Sequence, residues 1–67
     1  MLDIAVLGAG RIGRIHAGNV AAHPGARLVG VADAAADAAA ALAGALGVPA
    51  IDTDAAFKAD AVMVCTP

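Results

Sequence analysis

A single cysteine, Cys65, means that no disulfide can close within this 67-residue chain. Its stability must come from packing, and a reduced, cytoplasmic setting fits. Tryptophan and tyrosine are absent and Phe57 is the one phenylalanine, so large aromatic anchors are nearly missing. Glutamate is missing too: all six acids are aspartates, set against four lysines and arginines, for a net charge of −2. That balance lacks the basic face a nucleic acid partner wants. No apolar run approaches the ~20 residues that span a bilayer. Met1 runs directly into a strand-like segment without the basic start of a secretory signal. Neither membrane nor nucleic acid is therefore expected as a partner. Cys65, His16 and His23 are scattered without metal-ligand spacing, so no metal site is expected. No base is paired with Cys65 in sequence, which favours a small buried apolar residue over a nucleophile.

What is abundant is small and apolar. The chain is 61% hydrophobic, much of it alanine, and holds eight glycines. A domain of about 60 residues buries only roughly 60% of its unfolded surface. Alanine adds little area to that, so the core is expected to be thin.

Asp3–Leu7 is a short apolar run ending at glycine, which suits a strand buried on both faces. From Arg11 to Ala22 the residues Ile12, Ile15 and Val20, padded by Ala17 and Ala21, fit one helical face. His23-Pro24-Gly25 stops that helix. Arg27–Ala32 reads as a second strand, ending at Asp33. Ala34–Leu46 is nearly all strong helix formers, with Leu42 and Leu46 four apart and Gly47 placed as a C-terminal cap. Val48–Ile51 is a third strand, and Pro49 marks it as an edge. Thr53 or Asp54 is placed to cap a helical turn through Phe57, and Ala61–Thr66 is a fourth strand. Strand and helix in alternation predict an α/β fold with a parallel sheet.

Gly8-Ala9-Gly10-Arg11-Ile12-Gly13 matches G-x-G-x-x-G between the first strand and the first helix. This is the fingerprint of a Rossmann-type, doubly wound sheet that holds a dinucleotide. Gly8 permits the tight turn. Gly10 lets a pyrophosphate approach the backbone, and Gly13 lets the helix pack close on the sheet. Amides near Arg11 and Ile12 are the expected donors, helped by the partial positive charge of the helix start. The Arg11 side chain either adds charge or points to solvent. Asp33, 20 residues after Gly13, is placed to accept hydrogen bonds from the adenosine ribose, or else to cap the second helix. A carboxylate there repels a 2′-phosphate, and Ala34 offers no compensating charge, so NAD is favoured over NADP. His16 has either a packing or helix-surface role or a contact on the cofactor side.

Together, I-A-V-L-G-A-G-R-I-G-R-I-H-A-G-N with the later V-A-D and A-V-M-V-C-T-P resemble the opening of the Gfo/Idh/MocA family, and within it the inositol 2-dehydrogenases. The resemblance covers the whole chain. It implies that Gly8, Gly10, Arg11, Ile12 and Gly13 hold the pyrophosphate, Asp33 the ribose, and that Cys65, Thr66 and Pro67 border the cofactor. It also implies hydride transfer from a ring or sugar hydroxyl to a nicotinamide. The family's catalytic lysine lies in a Glu-Lys-Pro segment after the fifth strand, and no such segment exists here. Lys58 precedes the fourth strand and is not that lysine. Residues 1–67 are therefore expected to form the first half of a Rossmann domain, truncated, with no catalytic residue and no substrate domain. An alternative is a trimmed or engineered module that only binds nucleotide or is purely structural.

The order β-α-β-α-β-turn-β with strands arranged 3-2-1-4 sets a geometric problem. The third and fourth strands would lie three spacings apart, ~14 Å. The nine residues Asp52–Asp60 must cross that gap, where parallel crossovers usually take about 10–12 or more. Either the connector is nearly extended or the fourth strand docks elsewhere, such as on a second chain. Ala61–Cys65 is apolar on both faces, and such an edge is expected to drive self-association.

Overall fold

Alternation along Leu2–Leu7 makes that segment the central strand, β1, with Ile4 and Val6 facing one side of the sheet and Ala5 and Leu7 the other. The computed structural model describes residues 1–66. Helix α1 (Arg11–Ala22) follows, then strand β2 (Ala26–Ala32), helix α2 (Ala36–Leu46), the single turn α3 (Thr53–Ala56) and strand β3 (Ala61–Val64). The sheet is parallel with three strands, in the order β2-β1-β3. Its register against β2 jumps from Ile4 opposite Leu28 to Ala5 opposite Gly30, which leaves Val29 as the extra residue of a bulge.

The expected third strand is reduced to one bridge, Val31 to Ala50. The Val31 N–H donates to the Pro49 carbonyl, and the Ile51 N–H donates to the Val31 carbonyl. Both main-chain groups of Val31 thus point away from β1, and the bridge sits on the outer edge of β2. Two features keep it from growing into a strand. Pro49 has no N–H to donate, and Asp52 already caps α3 by accepting from the Ala55 N–H at 2.7 Å. That cap is Asp52 rather than Thr53 or Asp54. A four-stranded sheet in the order 3-2-1-4 is not formed. β3 docks on β1 of its own chain, so no second chain is needed to seat it.

The helices cover both faces unequally. α1 and α2 bury Val6, Ala17, Val20, Leu28, Val31 and Leu42 on one side. On the other, α3 lies over β1 and β2 through Ala5, Ala32 and Ala56, with Ile51 and Val29 beside them. The buried stripe of α1 is Gly13, Ala17 and Val20, not the isoleucines. Ile12 and Ile15 are 55% and 53% exposed. The helix approaches the sheet through its smallest residues, and that close approach turns Ile12 and Ile15 away from the core. α2 starts at Ala36 rather than Ala34 and ends as expected, with Gly47 in the left-handed region at φ 70°.

Candidate functional site

The carboxyl ends of all three strands meet at the glycine turn. The Gly8 N–H donates to the Ala32 carbonyl at 2.7 Å, and the Cys65 N–H donates to the Leu7 carbonyl at 2.7 Å. β1 therefore sends its chain into a loop between one neighbour on each side, the topological position where open α/β sheets take ligands.

Each glycine of the turn answers to a different demand. Gly8 has φ 105°, and a Cβ there would sit 2.9 Å from the Cys65 carbonyl carbon and 3.0 Å from the Thr66 nitrogen. A Cβ on Gly13 would overlap the Gly8 carbonyl, at 2.7 Å from its carbon. Gly10 differs. Its φ of −75° is ordinary, and a Cβ would meet nothing within 4 Å. Nothing inside the chain requires glycine at that position; the space beside it is open.

That space is a hollow of about 780 Å³. Gly8, Gly10, Arg11 and Ile12 line it from the turn, Asp33 and Ala34 from the end of β2, and Val64, Cys65 and Thr66 from the end of β3. Ala38 of α2 completes the wall. Gly13 is behind it, under the turn. Pro67 lies outside the described residues. Gly10 caps α1 without any side-chain hydrogen bond, and no acid lies in the first turn. The first-turn amides of Arg11, Ile12 and Gly13 have no partner within the helix, while Arg14 already donates to the Gly10 carbonyl. Free N–H groups and the positive end of the helix dipole therefore stand beside the open space.

Asp33 does more than line the wall. Its Oδ2 accepts the Ala9 N–H at 2.6 Å and its Oδ1 accepts the Ala35 N–H at 2.7 Å. These bonds, the one from Ala9 first, hold its carboxyl below the usual carboxylate range against the opposing effect of partial burial. Asp33 is not the cap of α2: that position is Ala35, and no side chain caps it. The turn that Asp33 makes with Ala35 is what delays the helix to Ala36.

Sequence reasoning missed Ala9 as a partner of Asp33, since no spacing rule links residues 24 apart. It also missed Ala38 and Val64 in the wall. Their only signal was small size or position at a strand end. His16 does not reach this hollow. It lines a separate, largely apolar groove of about 350 Å³ with Ile4, Val20 and Met63, at the amino ends of the strands. Cys65 is half-buried rather than buried. Among the described residues no His, Cys, Asp or Glu group could hold a metal ion, and no helix is long and apolar enough to cross a membrane.

A parallel sheet wound on both faces, with a glycine turn and an acid at its carboxyl edge, defines a Rossmann-type domain. The chain belongs to the Gfo/Idh/MocA oxidoreductase family with an NAD-binding Rossmann fold, whose model matches residues 2–67. Inositol 2-dehydrogenase of Rhizobium meliloti (strain 1021) is 55% identical over 65 residues, covering 92% of this chain and 20% of that protein. The crystal structure of a myo-inositol dehydrogenase from Corynebacterium glutamicum ATCC 13032 matches with a TM-score of 0.88 at 41% identity, over 100% of this chain and 21% of that one. UDP-N-acetylglucosamine 3-dehydrogenase from Acidithiobacillus ferrooxidans matches with a TM-score of 0.92 at 38% identity, over 98% of this chain and 22% of that one. The chain thus spans about one fifth of the length of the relatives it matches.

Proposed function

We propose that this chain supplies the dinucleotide-binding part of an oxidoreductase that moves hydride from a cyclitol or sugar hydroxyl to NAD. The observation that carries the reading is Gly10, a glycine with no internal reason to be one, beside a hollow faced by unpartnered helix amides. In this reading Gly8, Gly10, Arg11, Ile12 and Gly13 form the pyrophosphate cradle. Asp33 takes the adenosine ribose, and Cys65 and Thr66 border the cofactor. Bound NAD would supply the hydride acceptor; the chain's part is to bind and orient it. NAD is preferred to NADP because the Asp33 carboxylate repels a 2′-phosphate, and neighbouring Ala34 brings no cation.

The substrate is set outside these residues. Relatives named for an inositol and for a UDP-sugar share this fold equally well, so the cyclitol assignment rests on the 55% identity to the inositol enzyme. No Glu-Lys-Pro segment is present to supply a base, and residues 1–67 alone are expected to bind without turning over. The single unpaired cysteine supports a cytoplasmic setting.

Calorimetric titration of the 67-residue chain tests this. NAD should bind weakly, on the order of 1 mM, and more tightly than NADP. Gly10→Val should lower the affinity for NAD by about tenfold or more, about 1.4 kcal/mol, with the circular dichroism spectrum unchanged. Equal binding by the valine variant would sink the reading.

A further inference from the structure

We infer that Asp33 is a positioning residue for the glycine turn as well as a ribose acceptor: its carboxylate latches Ala9, and through Ala9 sets the phosphate cradle. The ribose half of this rests on the dinucleotide reading above; the latch does not. An ionised carboxylate offers about four acceptor sites. Two are filled by main-chain N–H groups, from Ala9 in the glycine turn and Ala35 before α2. Two remain, the number of hydroxyls on an adenosine ribose. Ala9 lies between Gly8 and Gly10, so the bond from its N–H pins the middle of the turn to the end of β2. No other side chain reaches this turn with a hydrogen bond among the described residues. Ala9 is itself buried, so the latch is attached to a residue that packs against the core.

Asparagine at position 33 breaks this count. Its amide carries one oxygen, and its NH₂ would face one of the two N–H donors. Serine keeps a short acceptor for the nearby Ala35 N–H and loses the reach to Ala9. The two variants therefore separate the latch from the turn before α2.

The test has two arms. In the first, hydrogen exchange of the ¹⁵N-labelled chain is followed without any nucleotide. Asp33→Ser should speed exchange of the Ala9 amide by about tenfold while leaving Ala35 protected and Val20 unchanged, and Asp33→Asn should speed exchange at one of Ala9 and Ala35. Unchanged exchange at Ala9 in the folded serine variant overturns the latch. In the second, binding of ADP is compared with that of 2′,3′-dideoxy-ADP, which has no adenosine hydroxyls. With a latch, Asp33→Ser weakens the dideoxy compound by about tenfold. If Asp33 acts on the ribose alone, wild type and variant bind it equally, and the inference is overturned. If no nucleotide binds any form of the chain, the dinucleotide reading is what fails, and the exchange arm alone decides the latch.

Discussion

One added methyl group at Gly13 would have nowhere to go. The carbonyl it would strike belongs to Gly8, which φ 105° and the backbone of Cys65 and Thr66 already hold in place. Gly13→Ala should therefore push α1 off the sheet and cost about 1–3 kcal/mol, read as a lower urea midpoint with the slope unchanged. Gly10→Ala, by contrast, meets no atom of the chain. Its ordinary φ also suits alanine, so stability should change by no more than about 1 kcal/mol and need not fall, and the two alanine variants separate a glycine kept for packing from one facing open space. Cys65 gives a further probe at this scale. It lines the hollow with Gly8 and Thr66, so NAD at saturating concentration should slow its alkylation by iodoacetamide. An unchanged rate would place the nucleotide elsewhere.

At the level of elements, the strands are clasped at the end away from the hollow. Arg27 of β2 donates through Nε and an Nη to both carboxylate oxygens of Asp3 in β1, at 2.9 and 2.8 Å. The Asp3 N–H in turn donates to Asp60, just before β3, at 2.9 Å. The hydrogen bonds from Arg27 hold the Asp3 carboxyl below its ordinary value, as main-chain amides do for Asp33. A lowered folded-state value stabilises the fold above the unfolded value near 3.9, and that contribution is lost as pH falls through the lower, folded value. Urea unfolding between pH 7 and pH 3 should show this loss, and Asp3→Asn should shrink it. The elements themselves were largely legible in sequence, because β1, α1, β2 and α2 each carry a period or a punctuating glycine or proline. The failures had physical causes. The pattern at Ile12 and Ile15 suited a helix face, but the sheet selects the residues that permit the closest approach. Val48–Ile51 had strand composition, yet Pro49 and the Asp52 cap leave room for only one bridge. For the site, the glycines and Asp33 could be found from spacing; the bond between Ala9 and Asp33 is a tertiary fact.

For the molecule as a whole, β3 is an edge strand whose outer main-chain groups have no partner within the three-stranded sheet, and Val64 is 63% exposed. We expect the 67-residue chain to associate through this edge, with sedimentation giving a mass that rises with concentration in the micromolar range. A constant monomer mass would exclude it. The sheet's second face has another consequence. The fully buried residues between α3 and the strands are Ala5, Ala32 and Ala56, all small. This close layering shortens the path from Ala50 to Ala61, so the ten residues Ile51–Asp60 suffice to cross ~14 Å. Enlarging Ala56 to leucine would lift α3, and the stretched connector would drag β3 along its axis. Since β3 runs on directly into Cys65 and Thr66, a bulkier side chain on the face remote from the hollow would be felt as a misaligned wall inside it.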